Sequence, residues 1–150
     1  MNARRIEGAV ALVTGANRGI GRALSEALLT RGARKVYATT RNSEALRALD
    51  DERLVLLQLD VTDAAQIRAA GEAASDVELV FNNAGVALAR GIAGSTVLDQ
   101  ARRKMEVNYF GPLQLLQHLA PTLARNGGGA VVNVGSAAGL TNLIVGIARR

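Results

Sequence analysis

The chain has 150 residues, a net charge of +5 and only 3% aromatic residues. One domain spanning 1–150 is expected at this length, and 49% hydrophobic content suffices for a soluble core of Ala, Val, Leu and Ile. The lack of cysteine excludes disulfides, thiolate nucleophiles and cysteine-bound zinc, and the single histidine, His118, argues against a histidine metal site or a Ser-His-Asp triad.

Scarce aromatics weigh against single-strand nucleic-acid binding, which relies on stacking platforms. The arginines are scattered along the chain rather than gathered on one helix face, so no nucleic-acid partner is expected. They form either a solvated basic surface or a basic lining for an anionic cofactor. The apolar run from Ala9 to Val13 is too short for a signal-peptide core or a membrane span, so a cytoplasmic protein without membrane contact is expected.

In chain order, Ala9 to Thr14 is expected to form a buried strand, followed by a Gly-rich turn from Gly15 to Gly21. A helix runs from about Arg18 to Arg31, with Gly32 as its stop. Lys35 to Thr40 forms a second strand, and Ser43 caps a short helix through about Asp50. Leu54 to Leu59 is the third strand, and Thr62 or Asp63 caps a helix to about Ala74. Val77 to Phe81 is the fourth strand, and a long helical stretch covers about Thr96 to Arg125. Gly127-Gly128-Gly129 leads into a fifth strand, Ala130 to Val134. This alternation predicts an α/β fold, a Rossmann-type doubly wound parallel sheet of about five strands. The strands are near-continuous apolar runs, as expected where helices cover both faces.

The turn Gly15-Ala16-Asn17-Arg18-Gly19-Ile20-Gly21 joins a buried strand to a helix. Gly15 permits a tight turn, Gly19 lets backbone approach a phosphate, and Gly21 lets the helix pack closely on the sheet. The free N–H groups and positive dipole end of the helix then face an anion. Its place after the first strand of an alternating chain separates it from a plain turn.

Further along, Pro112 has no N–H to give the carbonyl of Asn108. The long helix is therefore expected to kink at that point, leaving that carbonyl able to hold an ordered water.

The Gly-x-x-x-Gly-x-Gly spacing, Asp60-Val61-Thr62, Asn82-Asn83-Ala84-Gly85, Val107-Asn108-Tyr109-Phe110-Gly111-Pro112 and Val132-Asn133-Val134-Gly135-Ser136 occur in this order. In this set the chain resembles the short-chain dehydrogenase/reductase family. The resemblance implies reversible hydride transfer between a nicotinamide dinucleotide and a small-molecule carbonyl or secondary alcohol. It makes Gly15, Asn17, Arg18, Gly19, Ile20 and Gly21 the cofactor-binding turn. Asp60 would bond the adenine amino group, or cap the following helix, and Val61 would pack on the ring. Asn82, Ala84 and Gly85 would bring backbone close to the adenosine ribose, although Asn82 is also suited to a purely structural bond between strands.

An acidic residue at the end of the second strand would bond the ribose hydroxyls and select NAD. Here that strand ends Thr39-Thr40 and is followed by Arg41. With Arg18, Arg41 would favour a 2′-phosphate, so NADP is expected over NAD, unless both arginines are merely surface charges.

On the catalytic side the resemblance gives Asn108 a water in a proton relay and Ser136 a bond to the substrate carbonyl. The family's proton donor, a Tyr about twelve or thirteen residues after that Ser, is followed four residues later by a Lys that lowers its pKa. Positions 148 to 150 are Ala148, Arg149 and Arg150, and neither Tyr37 nor Tyr109 has the required place. The chain is therefore expected to be an N-terminal portion, truncated before the Tyr-x-x-x-Lys motif and inactive alone. The alternatives are a non-catalytic NADP(H)-binding module or a fragment without function. Such a portion would expose the edge of its fifth strand and fold marginally. A homo-oligomer is expected only if the remaining part is supplied.

Overall fold

The computed structural model describes residues 5–41, 51–87 and 97–136. The short helix expected from Ser43 to Asp50 lies outside them. Five strands, β1 (Val10–Val13), β2 (Lys35–Thr40), β3 (Leu54–Gln58), β4 (Leu79–Asn82) and β5 (Ala130–Asn133), form one sheet in the order β3-β2-β1-β4-β5. Every pairing is parallel, with Leu12 opposite Tyr37 on one side and Val80 on the other. The order reverses direction between β1 and β4. In doubly wound sheets the crevice at such a reversal, beyond the carboxyl ends of the strands, is where ligands sit.

Strand periodicity sends alternate side chains to opposite faces, and helices cover both. On one face Ala11, Val13, Val36, Ala38 and Leu79 pack with Leu28 and Leu29 of α1 (Gly19–Thr30). On the other, Val10, Leu12, Tyr37 and Val80 pack with Ile67 and Ala70 of α2 (Ala64–Ala73), and with Leu115 and Leu119 of α4 (Gly111–Arg125). Asp63 caps α2, accepting from the N–H groups of Ala65 at 2.9 Å and Gln66 at 3.1 Å.

The long helical stretch is not one helix. α3 (Val97–Met105) passes into a five-residue π turn, Glu106–Phe110, before α4 begins. The expected disturbance around Pro112 thus takes the form of a widened turn, in which the Gly111 N–H bonds back five residues to Glu106. The turn brings Gly111 hard against the segment that follows β3. A Cβ at Gly111 would lie 2.5 Å from the Val61 carbonyl oxygen. Among the described residues β5 is the outer strand on its side of the sheet, and its Val131 and Val132 are 39% and 44% exposed, unlike the fully covered β1.

Candidate functional site

A cleft of about 510 Å³ opens at the carboxyl ends of β1, β2 and β4. Its floor is the Gly-rich turn. The buried Ala16 fastens that turn to β2 through a 2.8 Å bond from its N–H to the Thr39 carbonyl. Gly15 has φ +67 and lies against Ala84, so a Cβ there would be 3.0 Å from the Ala84 Cα. Gly19 has φ +55, and a Cβ placed on it would meet nothing within 4 Å. Its backbone faces open cleft, the approach a phosphate needs.

Arg18 stands at the N-cap of α1 in extended conformation, without a side-chain cap bond, and the first turn holds no acidic residue. The N–H groups at the start of α1 therefore meet neither a capping side chain nor a competing carboxylate. Gly21 lies behind the cleft wall rather than in it. A Cβ there would clash with the Gly15 carbonyl oxygen and the Asn83 amide nitrogen.

Residues 82 to 86 illustrate how neighbouring asparagines divide their work. Asn82 is buried, donates to Asn133 Oδ1 at 2.8 Å and does not line the cleft, so its contacts are those between strands. Asn83 does line it. Its amide nitrogen donates to the carbonyl oxygens of Thr14 at 2.9 Å and Gly15 at 3.3 Å. The N–H groups of Asn83 and Ala84 both reach the Thr14 hydroxyl oxygen at 2.9 Å. Thr14 and Asn83 were not among the sequence-predicted site residues, yet they bolt the loop after β4 to the Gly-rich turn. The available signal was strand alternation: of two successive asparagines at a strand end, one must face the neighbouring turn.

Along the far wall lie Asp60 and Val61 after β3, Ala84, Gly85 and Val86 after β4, and Val107 of the π turn. Asp60 Oδ1 accepts from the Thr62 N–H at 3.0 Å and its hydroxyl at 2.7 Å, while Asp63 does the capping of α2. Burial pushes the Asp60 carboxyl up, but the two Thr62 bonds and the positive charges of Arg41 and Arg103 more than offset this. The carboxyl is held below its ordinary value and is ionised at neutral pH, able to accept from an amino group. Arg41 and Arg18 line the same cleft, with Asn17 and Ile20 beside them.

Asn108 stands behind the wall, its side chain bonded twice to the backbone of Val86. Ser136 lies three residues beyond β5, on the carboxyl edge of the sheet and exposed. The cleft thus gathers Gly15, Asn17, Arg18, Gly19, Ile20, Arg41, Asp60, Val61, Ala84 and Gly85, while Gly21, Asn82, Asn108 and Ser136 stand outside its lining.

Comparison with known proteins points the same way. The family described as short chain dehydrogenase matches residues 9–148. The Anopheles gambiae dehydrogenase/reductase SDR family protein 7-like is 31% identical, over 92% of this chain and 48% of its own length. Short-chain dehydrogenase PC-15 of Penicillium crustosum is 37% identical, over 87% and 49%. Among solved structures, a short chain dehydrogenase from Burkholderia cenocepacia in complex with NADP has TM-score 0.81 and 45% identity, covering 87% of this chain and 54% of that one. A 7α-hydroxysteroid dehydrogenase complexed with NADH and 7-oxo glycochenodeoxycholic acid has TM-score 0.84 and 29% identity, covering 93% and 58%. The chain therefore spans about half the length of the curated relatives it matches.

Proposed function

The chain belongs to the short chain dehydrogenase family, and from that premise we propose that its cleft is the NADP(H) site of an oxidoreductase acting on a small-molecule carbonyl or secondary alcohol. The observation that carries this reading is the pairing of Arg18 and Arg41 on one cleft, at a β2 end that carries no carboxylate. Two guanidinium groups favour a 2′-phosphate by charge-assisted bonds, whereas an acidic residue at that point would repel it. The NADP complex of the Burkholderia cenocepacia relative supports the same choice.

The residues fit such a cofactor. Open space over Gly19 and the uncapped start of α1 suit a pyrophosphate, Asp60 suits the adenine amino group, and Val61 and Val107 offer apolar surface to the ring. When bound, NADP(H) supplies or takes the hydride. Asn108 would set the loop at Val86 that borders the nicotinamide end, and its backbone would steady a water in the proton path. Ser136 would hold the substrate carbonyl oxygen by a hydroxyl bond. In this chain positions 148 to 150, at the proton-donor spacing after Ser136, hold Ala148, Arg149 and Arg150 rather than a Tyr. By itself it would bind the cofactor without turning it over.

Titration of the chain with NADPH and NADH, followed by nicotinamide fluorescence, tests the reading. NADPH should bind at least about tenfold more tightly, a difference of about 1.4 kcal/mol. Arg18→Ala and Arg41→Ala should each weaken NADPH and leave NADH unchanged. Equal affinity for the two cofactors in the wild-type chain would sink the NADP assignment, and turnover of a generic ketone by the chain alone would sink the assignment of a binding role.

A further inference from the structure

A second concavity, of about 330 Å³, lies between α2 and α4 and shares no lining residue with the dinucleotide cleft. Its walls are two matched helical stripes. Arg68, Gly71 and Glu72 of α2, with Ser75 just beyond its end, follow the spacing of one helix face, and so do His118, Thr122 and Arg125 of α4. The helices meet closely at Gly71, where a Cβ would lie 3.4 Å from the His118 Cβ. Further along, the Asn126 amide nitrogen donates to the carbonyl oxygens of Ser75 at 3.2 Å and Val77 at 3.0 Å, which ties the end of α4 to the segment after α2. The groove therefore has fixed walls, and it lies toward the amino ends of the strands, away from the cleft.

Arg68 and Arg125 stand at its two ends. They are separated by seven to ten residues of helical rise, about 10–15 Å between backbones, which two long side chains reaching inward shorten. Neither arginine makes an ion pair within 4 Å among the described residues, and Glu72, the one acid in the lining, makes none either. Arg125 is held in place by its own helix, its Nη2 donating to the buried Thr122 hydroxyl at 2.9 Å, and its other N–H groups are left for a ligand. Its charge also offsets the negative end of the α4 dipole, which would otherwise repel an anion. We propose that this groove is a binding site for an elongated small-molecule dianion, a dicarboxylate or a bisphosphate, with one oxyanion on Arg68 and the other on Arg125. Guanidinium groups grip such oxyanions by paired N–H bonds. Between them Glu72, Ser75 and His118 meet the uncharged middle of the ligand, where a carboxylate does not oppose binding as it would beside a central anion. The inference stands apart from the dinucleotide reading of the cleft.

His118 is the only histidine of the chain, so its ring proton resonances report the middle of the groove without ambiguity. The test titrates the chain with acetate, suberate and a hexose bisphosphate at constant pH and ionic strength. Suberate, the bisphosphate or both should shift the His118 signals saturably and bind at least about tenfold more tightly than acetate, because the second oxyanion binds intramolecularly. Whichever binds more tightly identifies the anionic group. Arg68→Ala and Arg125→Ala should each remove that tenfold advantage, and Arg41→Ala should leave it intact. Arg68 is exposed, so its replacement leaves the core untouched and decides the matter even if Arg125→Ala folds poorly. Dianions that bind no better than acetate overturn the inference, as does an Arg68→Ala chain that binds them like wild type. A response lost in Arg41→Ala also overturns it, by placing the ligand in the dinucleotide cleft.

Discussion

Asn108 and Val86 are joined by two hydrogen bonds: the Val86 N–H donates to Asn108 Oδ1 at 2.8 Å, and Asn108 Nδ2 donates to the Val86 carbonyl at 3.0 Å. A side-chain amide thereby mimics a strand neighbour and holds the loop after β4 to the π turn. Asn108→Asp keeps the acceptor but sets a carboxylate oxygen against the Val86 carbonyl, and Asn108→Ala removes both bonds. Each variant should lose about 1 kcal/mol of stability, since the pair is partly solvated. Cofactor affinity should fall several-fold, more for Asp than for Ala. Wild-type affinity in Asn108→Asp would show that the Val86 loop does not shape the cleft.

Gly19 and Gly21 should fail in different ways. At Gly19 the added methyl meets open space, and only the positive φ resists it, at a cost of about 1 kcal/mol. Gly19→Ala should therefore stay folded, with cofactor affinity reduced because the methyl faces the phosphate. Gly21→Ala drives a methyl into the Gly15 carbonyl and the Asn83 amide, so the turn itself must shift. Its melting temperature should drop more than that of Gly19→Ala. The reverse ranking would refute the division of labour between the two glycines.

Acid should weaken the fold partly through Asp76. This carboxylate accepts from Lys35 Nζ and from the Tyr37 hydroxyl, both at 2.7 Å. Burial pushes its pKa up, but the two bonds and the Lys35 charge more than offset this and leave it depressed. A carboxyl depressed in the folded state contributes stability in full above its unfolded value, and loses it as pH falls through the folded one. The loss should therefore begin near the ordinary carboxylate range and deepen below it. Asp76→Asn should be less stable than wild type near pH 7, by about 1 kcal/mol, and should flatten the acid limb of a plot of melting temperature against pH. An unchanged acid limb would assign the effect to other carboxylates.

Self-association should start at β5. Val131 and Val132 are exposed on the last strand of the sheet, and the outer edge of that strand offers unpaired backbone groups among the described residues. Val132→Lys should suppress concentration-dependent light scattering with little change in melting temperature. Scattering that is equally strong in the lysine variant would locate the sticky surface elsewhere.

The strand and helix order was legible because apolar runs and glycines alternate at regular intervals, and β1, the Gly-rich turn and α1 follow that pattern closely. The cleft residues Gly15, Asn17, Arg18, Gly19 and Ile20, with Arg41, Asp60 and Val61, were legible for the same reason: each sits at a strand end or in the turn that follows. Asn83 escaped because motif reading ranks residues by what a ligand might touch, and its bonds go to protein backbone. The disturbed helix was legible at Pro112, but its form was not. The sequence shows a missing donor, whereas the π turn also depends on how closely Gly111 must approach Val61, a distance set by tertiary packing.

That π turn has a rotational consequence. A hydrogen bond that reaches back five residues instead of four amounts to one residue inserted into an otherwise continuous helix, a phase shift of about 100°. Within it, Val107 is oriented to the cleft; downstream, Leu115 and Leu119 are oriented to the core. Deleting Tyr109 would restore a regular helix without removing any of these side chains. With α4 clamped by its leucines, the upstream half would turn by the inserted angle and carry Val107 off the cleft wall. The bulge works as a dial between two helical halves, letting one length of chain answer to two differently aimed surfaces.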